Sequence, residues 1–364
     1  MLSTLLIALL ALNGLILGMC LFLLGARHWL ASYGQVKIRV NDEKELLVQG
    51  GNSLLLSLVS QKIFIPSACG GRGTCGYCRV KVLEGGGSVL ATEQMILTPA
   101  EIKEKKRLAC QVRARHDLVV QVPEEFLAIK EFQTVVSKVE VMTDLIKKIT
   151  FKLIDPKTIV FKPGQYVQVS LVRPGEEPIY RGYSIASSPF ANDIIELNVR
   201  RVEGGVMSTY LHTLKEGDSM VLSGPYGEFF LQETTNRSVV CIAGGVGLAP
   251  MKSIIAYLTE KKIDRRVYLF YGARTLPLLY DHQVFVEMAK RNPNFRYIPA
   301  LSDDTVGSEW NGHRGLITKV FQEVFPAGEP AEAYLCGPPV MIDALLPLLA
   351  AKGIQPNDIY YDKF

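Results

Sequence analysis

The chain has almost no net charge, few histidines and no repeats, and each shortage removes a class of function. Lys and Arg outnumber Asp and Glu by only 40 to 36 among 364 residues, a formal charge of +4. So small an excess supplies no basic stripe for a phosphate backbone, and no nucleic acid is expected as a partner. Of five histidines, His116, His212, His282 and His313 lack the spacing of metal ligands. There is no Ser-His-Asp set and no metal-hydrolase motif. Proton transfer by side chains is therefore a minor part of any chemistry. The pair Asp303-Asp304 reads as a loop and not as a catalytic dyad. No low-complexity tract occurs. Charged residues make up 21% and hydrophobic residues 48%, which excludes a disordered chain. The length suits two or three domains of roughly 100–200 residues each.

Charge is also missing from residues 1–26, and positions 2–24 are almost all apolar. At about 1.5 Å per residue, a helix there spans roughly 35 Å, enough for a hydrocarbon layer of about 30 Å. This segment accounts for the mean hydropathy of +0.17. Arg27, His28 and Trp29 follow at once, with Lys37 and Arg39 beyond. The positive-inside rule then puts the N-terminus outside and the remaining residues in the cytoplasm. A cleaved signal peptide would carry a basic leading segment and a shorter apolar run of about 7–15 residues. Gly14 and Gly18 have the spacing that lets a second helix approach closely. No other segment reaches spanning length.

The seven cysteines lie at 20, 69, 75, 78, 110, 241 and 336. Three fall within Cys69-Gly70-Gly71-Arg72-Gly73-Thr74-Cys75-Gly76-Tyr77-Cys78, and Cys110 follows. A disulfide framework would spread them through a short secreted chain. A [2Fe–2S] cluster instead needs a loop wrapped tightly around it, and Gly70, Gly71, Gly73 and Gly76 permit the positive φ this requires. A zinc ribbon would pair two C-x2-C knuckles, and only one is present. The metal ligands expected are Cys69, Cys75, Cys78 and Cys110. Cys20 and Cys241 read as inert apolar residues. Strands are expected over 35–40, 45–48, 78–83 and 118–122, with a helix over 53–61. The charged run 101–107 is expected to be a solvated helix face. This block resembles the plant-type ferredoxin fold, although the first cysteine gap is five residues where that family usually has four.

After Pro123-Glu124-Glu125, short strands are expected at 134–141, 146–153, 166–172, 194–199 and 219–224, the pattern of a small β-barrel. Gly204-Gly205-Val206-Met207-Ser208-Thr209-Tyr210 reads as a glycine turn opening a helix. Its amides, with the Ser208 and Thr209 hydroxyls, suit a phosphate; Gly205 and Met207 belong to the same candidate site. Farther on, strands at 239–243, 267–271, 295–301 and 333–336 alternate with helices, one over 251–259. That order predicts a parallel doubly wound sheet with ligands at its carboxyl ends. Gly244-Gly245-Val246-Gly247 falls at such an end, and free amides there suit a dinucleotide pyrophosphate. Arg274 and Cys336-Gly337-Pro338-Pro339 fall at other strand ends of the same sheet.

Arg181-Gly182-Tyr183-Ser184 resembles the flavin motif of the ferredoxin–NADP reductase-like superfamily. The resemblance implies that Arg181 pairs with the FAD pyrophosphate, that Tyr183 covers the isoalloxazine and that the Ser184 hydroxyl bonds flavin N5. It places Cys336, with Gly337 and Pro338, beside the nicotinamide. It makes Phe364 the aromatic that covers the flavin face the nicotinamide must reach. Ser184, Cys336 and Phe364 are then the residues at the hydride-transfer centre. NADH is preferred over NADPH by resemblance, only Arg274 being near the strand end that would bind a 2′-phosphate.

Over essentially its whole length the chain resembles the F subunits of sodium-translocating NADH:quinone oxidoreductases. The resemblance rests on the single anchor, the five-residue gap, Leu108-Ala109-Cys110-Gln111, Gly227-Glu228-Phe229-Phe230, Tyr271-Gly272-Ala273-Arg274 and the Cys336 motif. Members of that family carry a longer flavin domain; here only nine positions separate Val172 from Arg181. The implied fold is one N-terminal transmembrane helix (1–26), an α+β ferredoxin domain of β-grasp type (34–128), an antiparallel β-barrel FAD domain (131–233) and an α/β doubly wound NAD domain (234–364). The implied route runs from NADH through FAD and [2Fe–2S] to a membrane chain ending in quinone. The implied setting is a bacterial inner membrane, with integral-membrane subunits of a quinone reductase as partners. The alternative is the reductase component of a multicomponent oxygenase, similar to the phenol hydroxylase or methane monooxygenase reductases. Those are normally soluble and have the four-residue gap.

Overall fold

A computed structural model describes residues 2–30, 33–173, 178–303, 307 and 310–363. The chain divides into two units, Met1–Ala128 and Ile129–Phe364.

In the first unit, Leu2–Leu30 is one helix of 29 residues. Its stretch Leu5–Ala26 has a mean hydropathy of 2.5 and no protein cover, so it is long and apolar enough to cross a membrane. The one amide side chain in the run, Asn13, donates to the Leu9 carbonyl at 2.7 Å. Its polarity is thus satisfied within the helix, as hydrocarbon surroundings require.

A five-stranded mixed sheet follows, in the order Lys44–Gln49, Gln35–Val40, Leu118–Gln121, Arg79–Glu84, Lys106–Leu108. Gln35–Val40 pairs antiparallel with Lys44–Gln49 and parallel with Leu118–Gln121. Val36, Ile38 and Val40 are buried at every second position, the period that puts one strand face on a core. Helix Leu54–Ser60 packs Leu54, Leu55 and Leu58 onto that face. Ser53 caps it, its Oγ accepting from the Leu56 amide at 3.2 Å. Between this helix and Arg79 the chain forms no regular element, and that irregular stretch carries three cysteines.

The run 101–107 is not one solvated helix face. Helix Pro99–Lys103 ends, Lys105 turns left-handed at φ 60°, and Lys106–Leu108 becomes an edge strand beside Arg79–Glu84. Arg107 turns inward because Glu93, 0% exposed, receives it through a two-pronged contact at 2.9 and 2.7 Å. Charge alone misassigned the segment, since the burial partner lies 14 residues upstream.

The second unit opens with six antiparallel strands in the order Ile194–Arg200, Ile146–Asp155, Lys130–Val141, Ser219–Tyr226, Tyr166–Leu171, Ile179–Ser184. A bridge between Ile185 and Leu197 joins the two outer strands and closes the barrel. A six-stranded parallel sheet follows, ordered His313–Arg314, Phe295–Leu301, Val267–Ala273, Ser238–Gly244, Ala331–Gly337, Ile359–Lys363. Helices Leu248–Glu260 and His282–Arg291 cover one face; Ile317–Val324 and Pro339–Ala351 cover the other. Ser238–Gly244 and Ala331–Gly337 are buried at every residue, as sheets covered on both sides demand. The turns after these two central strands lie side by side at the sheet's carboxyl end.

Candidate functional site

The cysteine loop folds the way it does because glycine is placed where other residues strain. Gly70, Gly71, Gly73 and Gly76 take φ values of 65°, 86°, 75° and 72°, and only glycine enters that region freely. The loop thereby curls its thiols into two pairs. Cys75 Sγ lies 3.4 Å from Cys69 Sγ, and Cys78 Sγ 3.4 Å from Cys110 Sγ. All four are free thiols. Among the described residues, no three His, Cys, Asp or Glu side chains converge as a single metal ion would need. Two pairs of thiols fit two irons, two ligands to each, which is the donor set of a [2Fe–2S] cluster. The hydrogen bond from Cys75 holds the Cys69 thiol down to about 3 and pushes Cys75 up in turn. Contact with Cys78 likewise holds Cys110 at about 7, with Cys78 pushed up. In each pair the contact favours the thiolate, the form that binds metal, on one of the two sulfurs.

In the barrel, the motif lies on the outer strand Ile179–Ser184, with Arg181 opposite Val169, Tyr183 opposite Val167 and Ser184 opposite Tyr166. Arg181 and Tyr183, two positions apart, share a face of the strand. Both are half-buried. Arg181 Nη1 donates to the Tyr180 carbonyl at 2.7 Å, which fixes the base of the guanidinium. Tyr183 packs against the barrel core, and burial pushes its hydroxyl up. Ser184, half-buried, ends the strand beside the closing bridge.

The expected phosphate turn is built as a helix start, Val206–Thr213, preceded by Gly205. A Cβ on Gly205 would meet Ser208 Oγ at 2.7 Å and Val202 Cβ at 3.0 Å. The Ser208 hydroxyl is used inside this turn: it accepts from the Val202 amide at 3.1 Å and donates to the Gly205 carbonyl at 3.3 Å. In this turn the Ser208 hydroxyl therefore bridges the segment before the helix to the helix start, at the position expected to face phosphate. Met207 sends its side chain into the barrel core. First-turn amides, which no helix satisfies internally, and the exposed Thr209 are what the turn offers an anion.

In the parallel sheet, Gly245–Gly247 forms a single tight turn between strand and helix, and Gly245 has φ 57°. A Cβ on Gly247 would lie 2.0 Å from the Cys336 carbonyl oxygen, and one on Gly244 would press Met341 and Pro338 at 3.0 and 3.4 Å. The glycine turn and the Cys336-Gly337-Pro338 turn are therefore packed together at the carboxyl end of the two central strands, where parallel sheets of this kind take their ligands. Arg274 is exposed just past the neighbouring strand. Cys336 is 1% exposed and sits opposite Ala243 and Asp362. Burial, reinforced by the Asp362 charge, pushes its thiol up, so it is a neutral thiol at pH 7. The final strand runs parallel to Ala331–Gly337 and brings Lys363 opposite Gly337; Phe364 lies outside the described residues.

Two residues that the sequence reading missed join barrel and sheet. Tyr280, 4% exposed, donates its hydroxyl to the Gly245 carbonyl at 3.1 Å and accepts from Asn198 Nδ2 at 3.3 Å. Next to it, Asp281 bonds Lys252 Nζ at 2.5 Å, on the helix that follows the glycine turn. Asn198 lies one residue past Leu197, the partner of the closing bridge. A chain of contacts thus runs from the end of the motif strand through Leu197, Asn198 and Tyr280 to Gly245. The available signal was Asn198 itself, a polar residue between buried Leu197 and Val199.

Family models match three consecutive parts: a 2Fe-2S iron-sulfur cluster binding domain at 38–115, an oxidoreductase FAD-binding domain at 133–231 and an oxidoreductase NAD-binding domain at 241–346. The F subunit of the Na(+)-translocating NADH-quinone reductase of Neisseria gonorrhoeae is 36% identical over 392 residues, covering 96% of each chain. The Klebsiella pneumoniae protein of that name is 36% identical over 386 residues, covering 94% of this chain and 95% of its own. The first alignment is longer than the 364 residues here, so that relative carries segments this chain lacks. Among solved structures, the Amycolatopsis cytochrome P450 reductase GcoB superposes with a TM-score of 0.71 at 30% identity, covering 90% of this chain and 98% of that one. The ferredoxin reductase in carbazole 1,9a-dioxygenase superposes with a TM-score of 0.70 at 27% identity, covering 91% and 98%.

Proposed function

The chain belongs to the family of the Na(+)-translocating NADH-quinone reductase F subunits, and from that premise we propose how its residues divide the work. It is an oxidoreductase component that uses NADH, FAD and a [2Fe–2S] cluster. When bound, FAD supplies hydride acceptance and release of single electrons, and the cluster supplies one-electron transfer. The protein's share is position and charge. Arg181 and the first-turn amides at Val206–Ser208 bind the flavin pyrophosphate. Tyr183 packs against the ring, and the Ser184 hydroxyl bonds the reacting nitrogen. The Gly244–Gly247 amides, with Arg274, bind NADH phosphates. Cys336, neutral and rigidly buried, with Gly337 and Pro338, shapes the nicotinamide side. Phe364 covers the flavin face until nicotinamide takes its place. Cys69, Cys75, Cys78 and Cys110 bind the cluster.

One observation carries this reading: the flavin-motif strand and the glycine turn are tied through the Ile185–Leu197 bridge and the Asn198–Tyr280–Gly245 hydrogen bonds. That brings the hydride donor's loop to the acceptor's strand.

The same reading assigns domains at 1–26, 34–128, 131–233 and 234–364. It makes the N-terminal helix a single anchor in a bacterial inner membrane, with the N-terminus outside and the cofactor domains cytoplasmic. The [2Fe–2S] cluster that Cys69, Cys75, Cys78 and Cys110 would hold would supply one-electron transfer toward integral-membrane subunits of a quinone reductase that moves sodium. An oxygenase reductase is the second reading, favoured by the names of the two superposed structures. The uncovered apolar helix Leu5–Ala26 weighs against it.

Removing residues 1–26 is the test. The shortened protein should oxidise NADH with artificial acceptors at the full-length rate. It should no longer sediment with membranes or support quinone reduction in them. Membrane binding that survives the truncation would defeat the single-anchor assignment.

A further inference from the structure

The last cluster ligand has a side-chain amide aimed at it. Gln111 Nε2 donates to the Gly71 carbonyl at 3.3 Å and stands 3.4 Å from Cys110 Sγ. A carbonyl can only accept, so the amide nitrogen must face Gly71, and the sulfur with it. The amide oxygen then faces Thr92, whose hydroxyl donates to it at 3.0 Å. Space is tight: a Cβ on Gly73 would lie 2.8 Å from that same nitrogen. Thr92 is itself held from below. Its neighbour Glu93 is fully buried and accepts from the Leu108 amide at 3.0 Å and from Arg107. Burial pushes the Glu93 carboxyl up, but the Arg107 fork and two backbone amides outweigh it and hold the group ionised, below the usual range.

We propose that Gln111, aimed by Thr92, sets the reduction potential of the [2Fe–2S] cluster by hydrogen-bonding the Cys110 ligand sulfur. The inference rests on the four-cysteine assignment above. Reduction adds one electron and no proton, and the added charge spreads onto the ligand sulfurs. A donor N–H pointed at one sulfur stabilises the more negative reduced state over the oxidised state, which raises the potential. Thr92 is a positioning residue, since it acts only through the Gln111 amide.

The experiment is a redox titration of the full-length flavin-loaded protein, following the paramagnetic signal of the reduced cluster, with iron and sulfide counted per chain. Gln111→Leu removes the donor at similar volume and should lower the midpoint potential with cluster content retained. Gln111→Glu replaces the donor by an acceptor and should lower it further. Thr92→Val should produce a smaller fall of the same sign, and Thr92→Ser, which keeps the hydroxyl, should restore the wild-type value. A Gln111→Leu midpoint equal to that of the wild type overturns the proposal. If that variant assembles no cluster, the Thr92 pair decides: equal midpoints for Val and Ser overturn it. A Cys110→Ser variant with an unaltered cluster signal would instead sink the ligand assignment, a separate failure.

Discussion

The cysteine loop and the flavin–nucleotide site are two solutions to holding a cofactor. Three of the four cysteines assigned to the cluster come from ten consecutive residues, Cys69 to Cys78. Their geometry is set by backbone angles that glycine alone adopts without strain. The flavin–nucleotide site is distributed. Asn198 meets Tyr280 across 82 positions, and Tyr280 meets Gly245 across 35. Its geometry exists only once barrel and parallel sheet have packed. A local site is disturbed by losing a ligand. A distributed one is disturbed by anything that shifts one layer against another.

The largest break in that comparison should come from Cys75→Ser. It should abolish the [2Fe–2S] paramagnetic signal while FAD stays bound and NADH still reduces the flavin, because the two sites lie in separate units. A normal cluster spectrum in that variant would refute the assignment of Cys75 as a ligand. Next in size is Gly247→Val. Its side chain would start 2.0 Å from the Cys336 carbonyl, an overpacking that costs roughly 1–3 kcal/mol or more. Thermal unfolding of the flavin–nucleotide unit should shift down and stopped-flow reduction by NADH should nearly vanish, with the cluster signal intact. Unimpaired reduction would mean the glycine turn yields freely.

Tyr280→Phe should be milder. It leaves the Asn198 amide nitrogen without this acceptor and takes one donor from the Gly245 carbonyl, which still accepts from the Leu248 amide, at a cost of about 1–3 kcal/mol. Flavin reduction should slow roughly tenfold, the equivalent of about 1.4 kcal/mol, with bound FAD unchanged. Asn198→Leu should slow it comparably, and the double variant should be little worse than either alone, because both remove one chain of bonds. Additive losses would show that the two residues act independently.

Much of this molecule was readable along the chain. The order of anchor, cysteine loop, barrel and doubly wound sheet follows from apolar runs, period-two strands and glycine turns, which are local signals. That the four cysteines gather was readable because three of them share one short glycine-rich loop. Ser208 was readable as a residue type, but the turn its hydroxyl bridges, from the Val202 amide to the Gly205 carbonyl, was not. The run 101–107 failed for a related reason, since its charges gave no sign that Arg107 answers a buried Glu93.

What the sequence determined by itself is the inventory: which backbone positions can turn left-handed, which segments are apolar enough to be buried or to span, and which four thiols stand close enough in the chain to be gathered. The tertiary structure decided the pairings. It chose the Gln111 amide for Cys110, Tyr280 for Gly245 and Asn198, and the Cys336 carbonyl as the wall behind Gly247. The physical reason is that hydrogen bonds and close packing are satisfied within about 3–4 Å in space, and separation along the chain does not reveal which distant groups will meet at that distance.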